Sequence, residues 1–279
     1  MSHHLPRIAD RFTNAALLMQ PDRIEAFAKR IGEFDGAQAR GSANGASTWN
    51  SAAAAGDKTP YPIVDGAAII AMGGVMTNRA TAYDDYFGVT SCESLGAKLR
   101  AAMADAKVDR IVLDVDSPGG EAAGAMELAA TVRAAARIKP VVALANSLMA
   151  SAAYAVGAGA SEVVVTPSAM VGSIGVVWAH MDYSRLLVSA GVKPTLLTAG
   201  DFKKDGNSLE PLAPDARARI EKMINAYYEL FVESVGVHRP RLGASGARRT
   251  QAGVFVGRHA IDAGLADRVG DLESILAKR

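Results

Sequence analysis

Apolar runs of strand length alternate with helical stretches along the chain after Tyr61. The strand-like runs are Ala67–Met72, Arg110–Val115, Val141–Ala145, Glu162–Thr166, Gly175–Ala179 and Pro194–Thr198. Helical spacing of apolar residues predicts helices over Cys92–Ala106, Glu121–Arg137, Ser151–Gly157, Tyr183–Ala190 and from Asp215 to about Val235. Strands that are apolar on both faces and alternate with helices predict an α/β fold with a largely parallel sheet covered on both sides.

The chain before Tyr61 has a different pattern. A short amphipathic helix is predicted to begin at Pro21. The segment Gly36–Pro60 is rich in Gly, Ala, Ser and Asn and lacks periodicity, which predicts a flexible linker; an ordered irregular loop is the alternative. The prediction is therefore a helix plus linker over residues 1–60 and one domain over residues 61–279.

The last part of the chain is predicted from shorter signals. Arg239–Gly253 is basic and contains glycine, which favours an exposed loop. A strand over Val254–Val256 and two short helices are expected to follow it.

Composition excludes several classes of protein. Of 279 residues, 49% are hydrophobic and 21% are charged, which is typical of a globular protein. The net charge of +1 gives no electrostatic reason to expect nucleic acid or an anionic membrane as partner, and a single Cys excludes a disulfide framework. No apolar run approaches the ~18 residues that span a bilayer, so we expect a cytoplasmic protein without a membrane anchor.

Two segments join a predicted strand to a predicted helix through a turn of small residues. In Asp116-Ser-Pro-Gly-Gly120 the glycines permit positive φ and close approach of another backbone, and unpaired N–H groups after them could hold an oxyanion. An ordinary connecting turn is the alternative. In Ala150-Ser-Ala-Ala-Tyr154, Ser151 could be a helix cap or a nucleophile, and the residues alone favour the cap.

Basic residues give weaker signals. Lys203 and Lys204 lie in a polar loop, where lysines are usually solvated; a catalytic base needs a pKa lowered from about 10.4 to about 7–8. His180 is the one histidine in the predicted sheet region and is interpreted as a packed or surface residue. No Gly-x-Ser-x-Gly motif surrounds Ser151, and there is no phosphate-binding loop or metal-ligand cluster.

Taken in order, five blocks between Tyr61 and Asp267 resemble the signal peptide peptidase A family of serine peptidases, and within it the phage head-maturation (prohead) proteases. The blocks are Asp116-Ser-Pro-Gly-Gly120, Ala150-Ser-Ala-Ala-Tyr154, Gly172-Ser-Ile-Gly-Val176, Gly200-Asp-Phe-Lys-Lys-Asp-Gly-Asn207 and the closing pair Val254-Phe-Val-Gly257 and Ala263-Gly-Leu-Ala-Asp267. Each block is weakly specific, but the ordered set is highly specific. Cellular members often have glycines where Ala152 and Ala153 stand.

The resemblance implies roles for individual residues. Ser151 becomes the nucleophile and Lys203 the general base, with Lys204 the competing candidate. Gly119 and Gly120 form the oxyanion hole, and Ser173 orients the lysine. The family fold is the crotonase/ClpP-like spiral of β-β-α units, and the chemistry requires no cofactor and no metal.

The resemblance also implies partners. Phage members act on scaffold, portal or capsid proteins inside the prohead, and single-domain members form rings, so a homo-oligomer is expected. Three alternatives remain open: a general bacterial peptidase that degrades signal peptides or other peptides, a crotonase-type acyl-CoA enzyme, and a catalytically silent capsid assembly protein.

Overall fold

A computed structural model describes residues 16–19, 59–81, 84 and 88–277. The helix predicted after Pro21 lies outside these residues, and so does the Gly36–Pro60 linker apart from its last two positions. The division of the chain at residue 60 therefore stays a prediction.

Strands and helices alternate through the described residues. The strands are β1 (Leu17–Met19), β2 (Ile63–Val64), β3 (Ala67–Gly73), β4 (Val75–Thr77), β5 (Val89–Ser91), β6 (Arg110–Ser117), β7 (Gly119–Glu121), β8 (Val141–Ala150), β9 (Glu162–Val165), β10 (Met170–Gly172), β11 (Val254–Val256) and β12 (Arg268–Val269). The helices are α1 (Cys92–Ala104), α2 (Ala125–Ala136), α3 (Ala152–Gly157), α4 (Ser184–Ser189), α5 (Pro214–His238), α6 (Gly243–Arg249), α7 (Arg258–Asp262) and α8 (Leu272–Leu276).

The strands form two sheets. The larger has the order β11-β10-β8-β6-β3-β2, with β9 paired to the first half of β8 and β12 paired to β9. Its inner pairs are parallel, and antiparallel pairing joins β2 to β3 and β11 to β10. The smaller sheet has the order β1-β7-β4-β5. The predicted α/β class with a largely parallel sheet is confirmed.

One topological unit occurs twice in succession. The chain passes from β3 in the larger sheet to β4 in the smaller one and, after the short β5, into α1. It then repeats the path with β6, β7 and α2, and returns to the larger sheet as β8. This is the β-β-α arrangement expected from the resemblance.

Both faces of the larger sheet are buried, which explains the continuous apolar runs. Along β6, Ile111 and Leu113 enter the main cluster of buried side chains. Val112, which lies between them, packs on the opposite face against Ile275 of α8. Successive side chains of a strand point to opposite faces, so each face of β6 needs its own apolar set.

Two predicted strands are wrong. In Gly175–Ala179, only Val177 makes a β-bridge, and its partner is Leu17. Pro194–Thr198 is irregular, and Leu197 is 93% exposed, so its apolar residues have no buried face to pair against.

Other predicted elements differ from the structure in extent or type. The helix predicted from Glu121 begins at Ala125, because Gly119–Glu121 forms β7; a Cβ on Gly120 would lie 1.9 Å from the Met76 carbonyl oxygen, so a glycine there lets β4 approach. The predicted loop Arg239–Gly253 contains α6. That helix packs closely on α5, where a Cβ on Gly236 would lie 2.6 Å from the Ala244 nitrogen.

Candidate active site

Three serines lie together at one edge of the larger sheet. β6, β8 and β10 are adjacent parallel strands, so their carboxyl ends meet at the same edge. Ser117 ends β6, Ser151 directly follows β8, and Ser173 directly follows β10. The order of the strands therefore brings together three of the five resemblance blocks, which are far apart in the chain.

Ser151 occupies a strained turn between β8 and α3. Its φ of 55° and ψ of −120° lie in a region that costs a non-glycine residue about 1–3 kcal/mol. The turn is held by the Ser151 N–H, which donates to the Gly172 carbonyl at 2.8 Å. The side chain is buried at 1% exposure, and its Oγ has no hydrogen-bond partner among the described residues. A strained strand-to-helix turn of this kind presents the nucleophile of α/β-hydrolases, and here alanines rather than glycines flank it.

Gly119 places the backbone of β7 against this serine. Its φ is +95°, and a Cβ there would lie 2.9 Å from both the Ser151 Cβ and the Ala152 nitrogen. The Gly119 N–H donates to the Ser117 Oγ at 3.2 Å, and the Ser117 hydroxyl donates to the Gly74 carbonyl at 2.6 Å. Only a residue without a side chain fits between β7 and the Ser151 turn.

Sequence reasoning missed two of these groups. Ser117, which supports the Gly119 amide, lies inside the Asp116-Ser-Pro-Gly-Gly120 block and was assigned no role. The Ala152 amide is the first N–H of α3 and faces the same space as Ser151. Its position could have been predicted, because the amide that follows a nucleophilic serine commonly serves as an oxyanion donor.

Ser173 has an unusual backbone, and no hydrogen bond joins its side chain to a lysine among the described residues. Its φ is 55°, and its N–H donates to the Gly253 carbonyl at 2.8 Å. The Ser173 side chain is partly buried, and no described residue hydrogen-bonds to it. Its assignment as the residue that orients Lys203 stays a prediction.

The structure does not bring Lys203 to Ser151. Lys203 and Lys204 are both exposed, and the Lys204 amine pairs with Glu210 at 3.3 Å on the surface. Because Ser151 Oγ has no partner in the described part of the chain, the predicted Ser–Lys hydrogen bond is not formed within it. The assignment of Lys203 as base stays a prediction.

The lysine loop is nevertheless fixed at one point. Asp205 accepts two hydrogen bonds from Arg219 of α5, at 2.6 and 3.1 Å, and the guanidinium lies 4.1 Å from the centre of the Phe202 ring. The hydrogen bonds from Arg219 lower the pKa of Asp205 below its usual range. The loop is thus attached to α5 on one side while Phe202 stays 62% exposed.

Other candidate nucleophiles and bases have structural roles. His180 donates from Nε2 to the Asn207 carbonyl at 2.8 Å and stacks on Trp178, as expected of a packed histidine. Burial, followed by the charges of Glu121 and Glu127, raises the pKa of the Cys92 thiol to about 12, so the reactive thiolate is scarce at neutral pH.

No cluster of three or more His, Cys, Asp or Glu in the described ranges could hold a metal ion. Within the same ranges, the helices are too short or too polar to cross a membrane.

Comparison with known proteins decides the family. A sequence model of peptidase family S49 matches residues 133–279, more than half of the chain.

The chain belongs to peptidase family S49. The match includes Ser151, Ser173 and Lys203, whereas Gly119 and Gly120 precede it.

Curated relatives cover more of the chain than the family model does. The head-tail preconnector protein GP5 of Enterobacteria phage P21 is 34% identical over 99% of this S49 chain and 58% of its own length. The capsid assembly protease C of Escherichia phage lambda is 37% identical over 75% of this chain and 47% of its own length. Protease 4 of Salmonella typhi is 30% identical over 76% of this chain and 34% of its own length. The chain thus spans about half the length of the two phage relatives.

Proposed function

We propose that this chain is a serine endopeptidase that uses a Ser151–Lys203 dyad during assembly of phage heads. The observation that carries the proposal is the Ser151 turn, which is strained and buried, and whose Oγ has no hydrogen-bond partner among the described residues. Ser151 thus combines a strained backbone conformation with a buried hydroxyl that lacks a hydrogen bond. Both features cost free energy of folding, and residues with such costs cluster at functional sites.

The proposed chemistry follows from the groups around Ser151. Neutral Lys203 takes the Ser151 proton as Oγ attacks a peptide carbonyl, and the amides of Gly120 and Ala152 stabilise the oxyanion. The lysine then gives its proton to the leaving amine, and water hydrolyses the acyl-enzyme. Gly119 supplies the open space for the tetrahedral carbon rather than a free amide, because its N–H already donates to Ser117.

Lys203 must lose contact with water before it can act as a base. Lowering its pKa from about 10.4 to about 7–8 requires about 4 kcal/mol of destabilisation of the charged form, which burial can supply. Burial by another chain is favoured because the segment that precedes Lys203 in the chain exposes large apolar side chains: Leu186, Val188, Leu197 and Phe202. We therefore propose a homo-oligomer in which a second copy covers this surface and joins a lysine to a serine.

The proposed substrates are scaffold, portal or capsid proteins. The names of the P21 and lambda relatives support this role, and the site of action is then the host cytoplasm, within the prohead. Similarity to Protease 4 of Salmonella typhi supports a second candidate, a general bacterial peptidase. Membership of family S49 disfavours an acyl-CoA enzyme.

A fluorophosphonate probe tests the proposed activity. We expect labelling of the intact protein at Ser151, and none in Ser151→Ala, where removal of one hydroxyl from a buried turn leaves the fold intact by circular dichroism. Coexpression with phage head proteins then tests the role: shortened scaffold or capsid chains with the parent enzyme, and full-length chains with Ser151→Ala, are expected. A parent protein that neither reacts with the probe nor cleaves any peptide contradicts the proposal.

A further inference from the structure

The short strand β1 lies directly against the predicted oxyanion strand. It pairs antiparallel with β7, with Leu18 opposite Gly120. The register is continued by the Ala122 N–H, which donates to the Ala16 carbonyl at 3.3 Å. This edge of β1 is therefore hydrogen-bonded to the backbone that leads away from the nucleophile.

The opposite edge of β1 is bonded to the segment that follows Ser173. Leu17 and Val177 exchange two backbone hydrogen bonds, each of 2.9 Å. Val177 forms no other β-pairing with the residues that the structure describes. β1 thus fills a groove between two backbone segments, in the way an extended peptide adds to a sheet.

The carbonyl of Leu18 lies beside the Ser151 turn. Because the N–H and C=O of Leu17 face Val177, those of Leu18 face β7. The Leu18 oxygen lies 2.1 Å from the position of a Cβ on Gly119, and the Ser151 Cβ and Ala152 nitrogen each lie 2.9 Å from that same position. The Leu18 carbonyl and the Ser151 turn therefore border the same small space at Gly119.

The side chain of Leu18 is buried in the main apolar cluster. It is 1% exposed and belongs to that cluster together with Cys92, Leu128 and Ala152. Burial among apolar side chains favours an aliphatic residue over a charged one at this position. The residues on either side of Leu18 are buried as well.

We propose that residues 16–19 are a bound peptide that occupies the substrate groove, with Leu18 in the position that precedes the cleaved bond. The proposal rests on the proposed peptidase function for its chemical consequence. It assigns the substrate class as an extended polypeptide with an aliphatic residue before the cleaved bond. It also makes β1 a competitor of every such substrate.

A peptide-binding assay tests the proposed groove without requiring catalysis. The probe is a fluorescein-labelled peptide with the sequence of residues 14–20, and the proteins are full-length Ser151→Ala with and without Leu18→Glu. An intramolecular strand competes at an effective concentration on the order of millimolar, so we expect Leu18→Glu to tighten peptide binding at least about tenfold. A control peptide with Glu at the position that corresponds to Leu18 is expected to bind neither protein. Equal affinity of the first peptide for both proteins overturns the proposal.

A reversible crosslink provides a second test that keeps Leu18 in place. Leu17 and Val177 form a hydrogen-bonded antiparallel pair, whose Cα atoms are about 5.5 Å apart, within the range of a disulfide. In Leu17→Cys/Val177→Cys, oxidation is expected to slow fluorophosphonate labelling of Ser151 at least about tenfold relative to the reduced form, because it traps an occupant that otherwise exchanges at millimolar effective concentration. Wild-type protein in the same two buffers is the control.

The two tests separate this inference from the proposed function. Labelling at the same rate in the oxidised and reduced double variant, with wild type active, overturns the inference and leaves the peptidase function standing. Absence of labelling in every protein, with peptide binding restricted to Leu18→Glu, contradicts the peptidase function and supports the groove.

Discussion

The two halves of the proposed site are supported in different ways. Around Ser151 the backbone is enclosed: Ala150, Ala152 and Ala153 are fully buried. Around Lys203 the chain is open: Leu197 is 93% exposed and the loop is anchored through the Asp205–Arg219 pair. The nucleophile that we propose, Ser151, is thus positioned by packing within one chain, whereas the proposed base, Lys203, is exposed in the described part of the chain.

Removal of the proposed base, Lys203, is expected to have the largest effect, which is on the rate of peptide cleavage. Lys203→Ala is expected to lower the rate of peptide cleavage about 10³-fold, because a general base contributes about 10²–10⁴. Lys204→Ala is the matched control, since it removes a surface ion pair worth at most about 1 kcal/mol. Cleavage by purified, folded variants measures both. Loss in Lys204→Ala with full activity in Lys203→Ala assigns the base to Lys204 instead.

Mixing two inactive variants tests where the lysine comes from. Ser151→Ala and Lys203→Ala, co-assembled in equal amounts, are expected to recover a measurable fraction of activity, because a serine from one copy meets a lysine from another. The double variant mixed with Ser151→Ala serves as the blank. A mixture that forms mixed oligomers by native mass spectrometry yet stays inactive shows that the lysine acts within its own chain.

The enclosed backbone around Ser151 is expected to tolerate no methyl group added at Gly119. Gly119→Ala puts a Cβ 2.1 Å from the Leu18 carbonyl oxygen and 2.9 Å from the Ala152 nitrogen, so we expect the free energy of unfolding to fall by more than about 3 kcal/mol. Gly200→Ala is the matched control: its φ is +94°, but no atom of the described residues lies within 4 Å of the added Cβ, so backbone strain of about 1–2 kcal/mol is the expected cost. Urea unfolding measures both. Equal losses contradict the enclosed arrangement.

Removal of the partly buried ion pair between Asp267 and Arg239 is expected to have the smallest effect, which is on the free energy of unfolding. Asp267 accepts from both Arg239 nitrogens and from the Val163 amide, each at 2.7 Å. Burial alone would raise the pKa of Asp267, but the hydrogen bonds from Arg239 and Val163 lower it. We expect Asp267→Asn to cost about 2 kcal/mol at pH 7, after allowance for solvent screening, against about 0.3–0.5 for Glu221→Gln, which breaks the exposed pair with Arg217.

The pH dependence of this difference has a definite sign. Because the pKa of Asp267 is lower in the folded state, its ionised form stabilises the fold above the unfolded value of about 3.9, and that stability is lost as the pH falls through the folded pKa. The gap between wild type and Asp267→Asn, followed by urea unfolding, is therefore expected to narrow below about pH 4. A gap that stays constant down to pH 2 contradicts the assignment.

Local pattern predicted most of the regular elements. Strands β3, β6, β8 and β9 were recognised from their apolar runs, and the helix from Cys92 was placed correctly at its start. The inner strand β10 was not predicted, and β8 continues to Ala150, beyond its predicted end at Ala145. Strand β7 was not predicted, because Gly119 and Gly120 have no side chains and so carry no hydrophobic pattern. The predicted strand Pro194–Thr198 failed for the opposite reason: its apolar residues are exposed, and period alone does not tell an exposed apolar residue from a buried one.

The sequence by itself determined the α/β class, the small residues around Ser151 and the S49 blocks in their order. These features depend on local composition and spacing, which are visible along one chain. Only the tertiary structure decided that Ser117, Ser151 and Ser173 share one sheet edge, that Ser151 is strained and has no partner for its Oγ among the described residues, and that Leu18 lies near it. Those facts depend on strand order and on contacts between residues that are distant in the chain, such as Leu18 and Gly119, which no local pattern encodes.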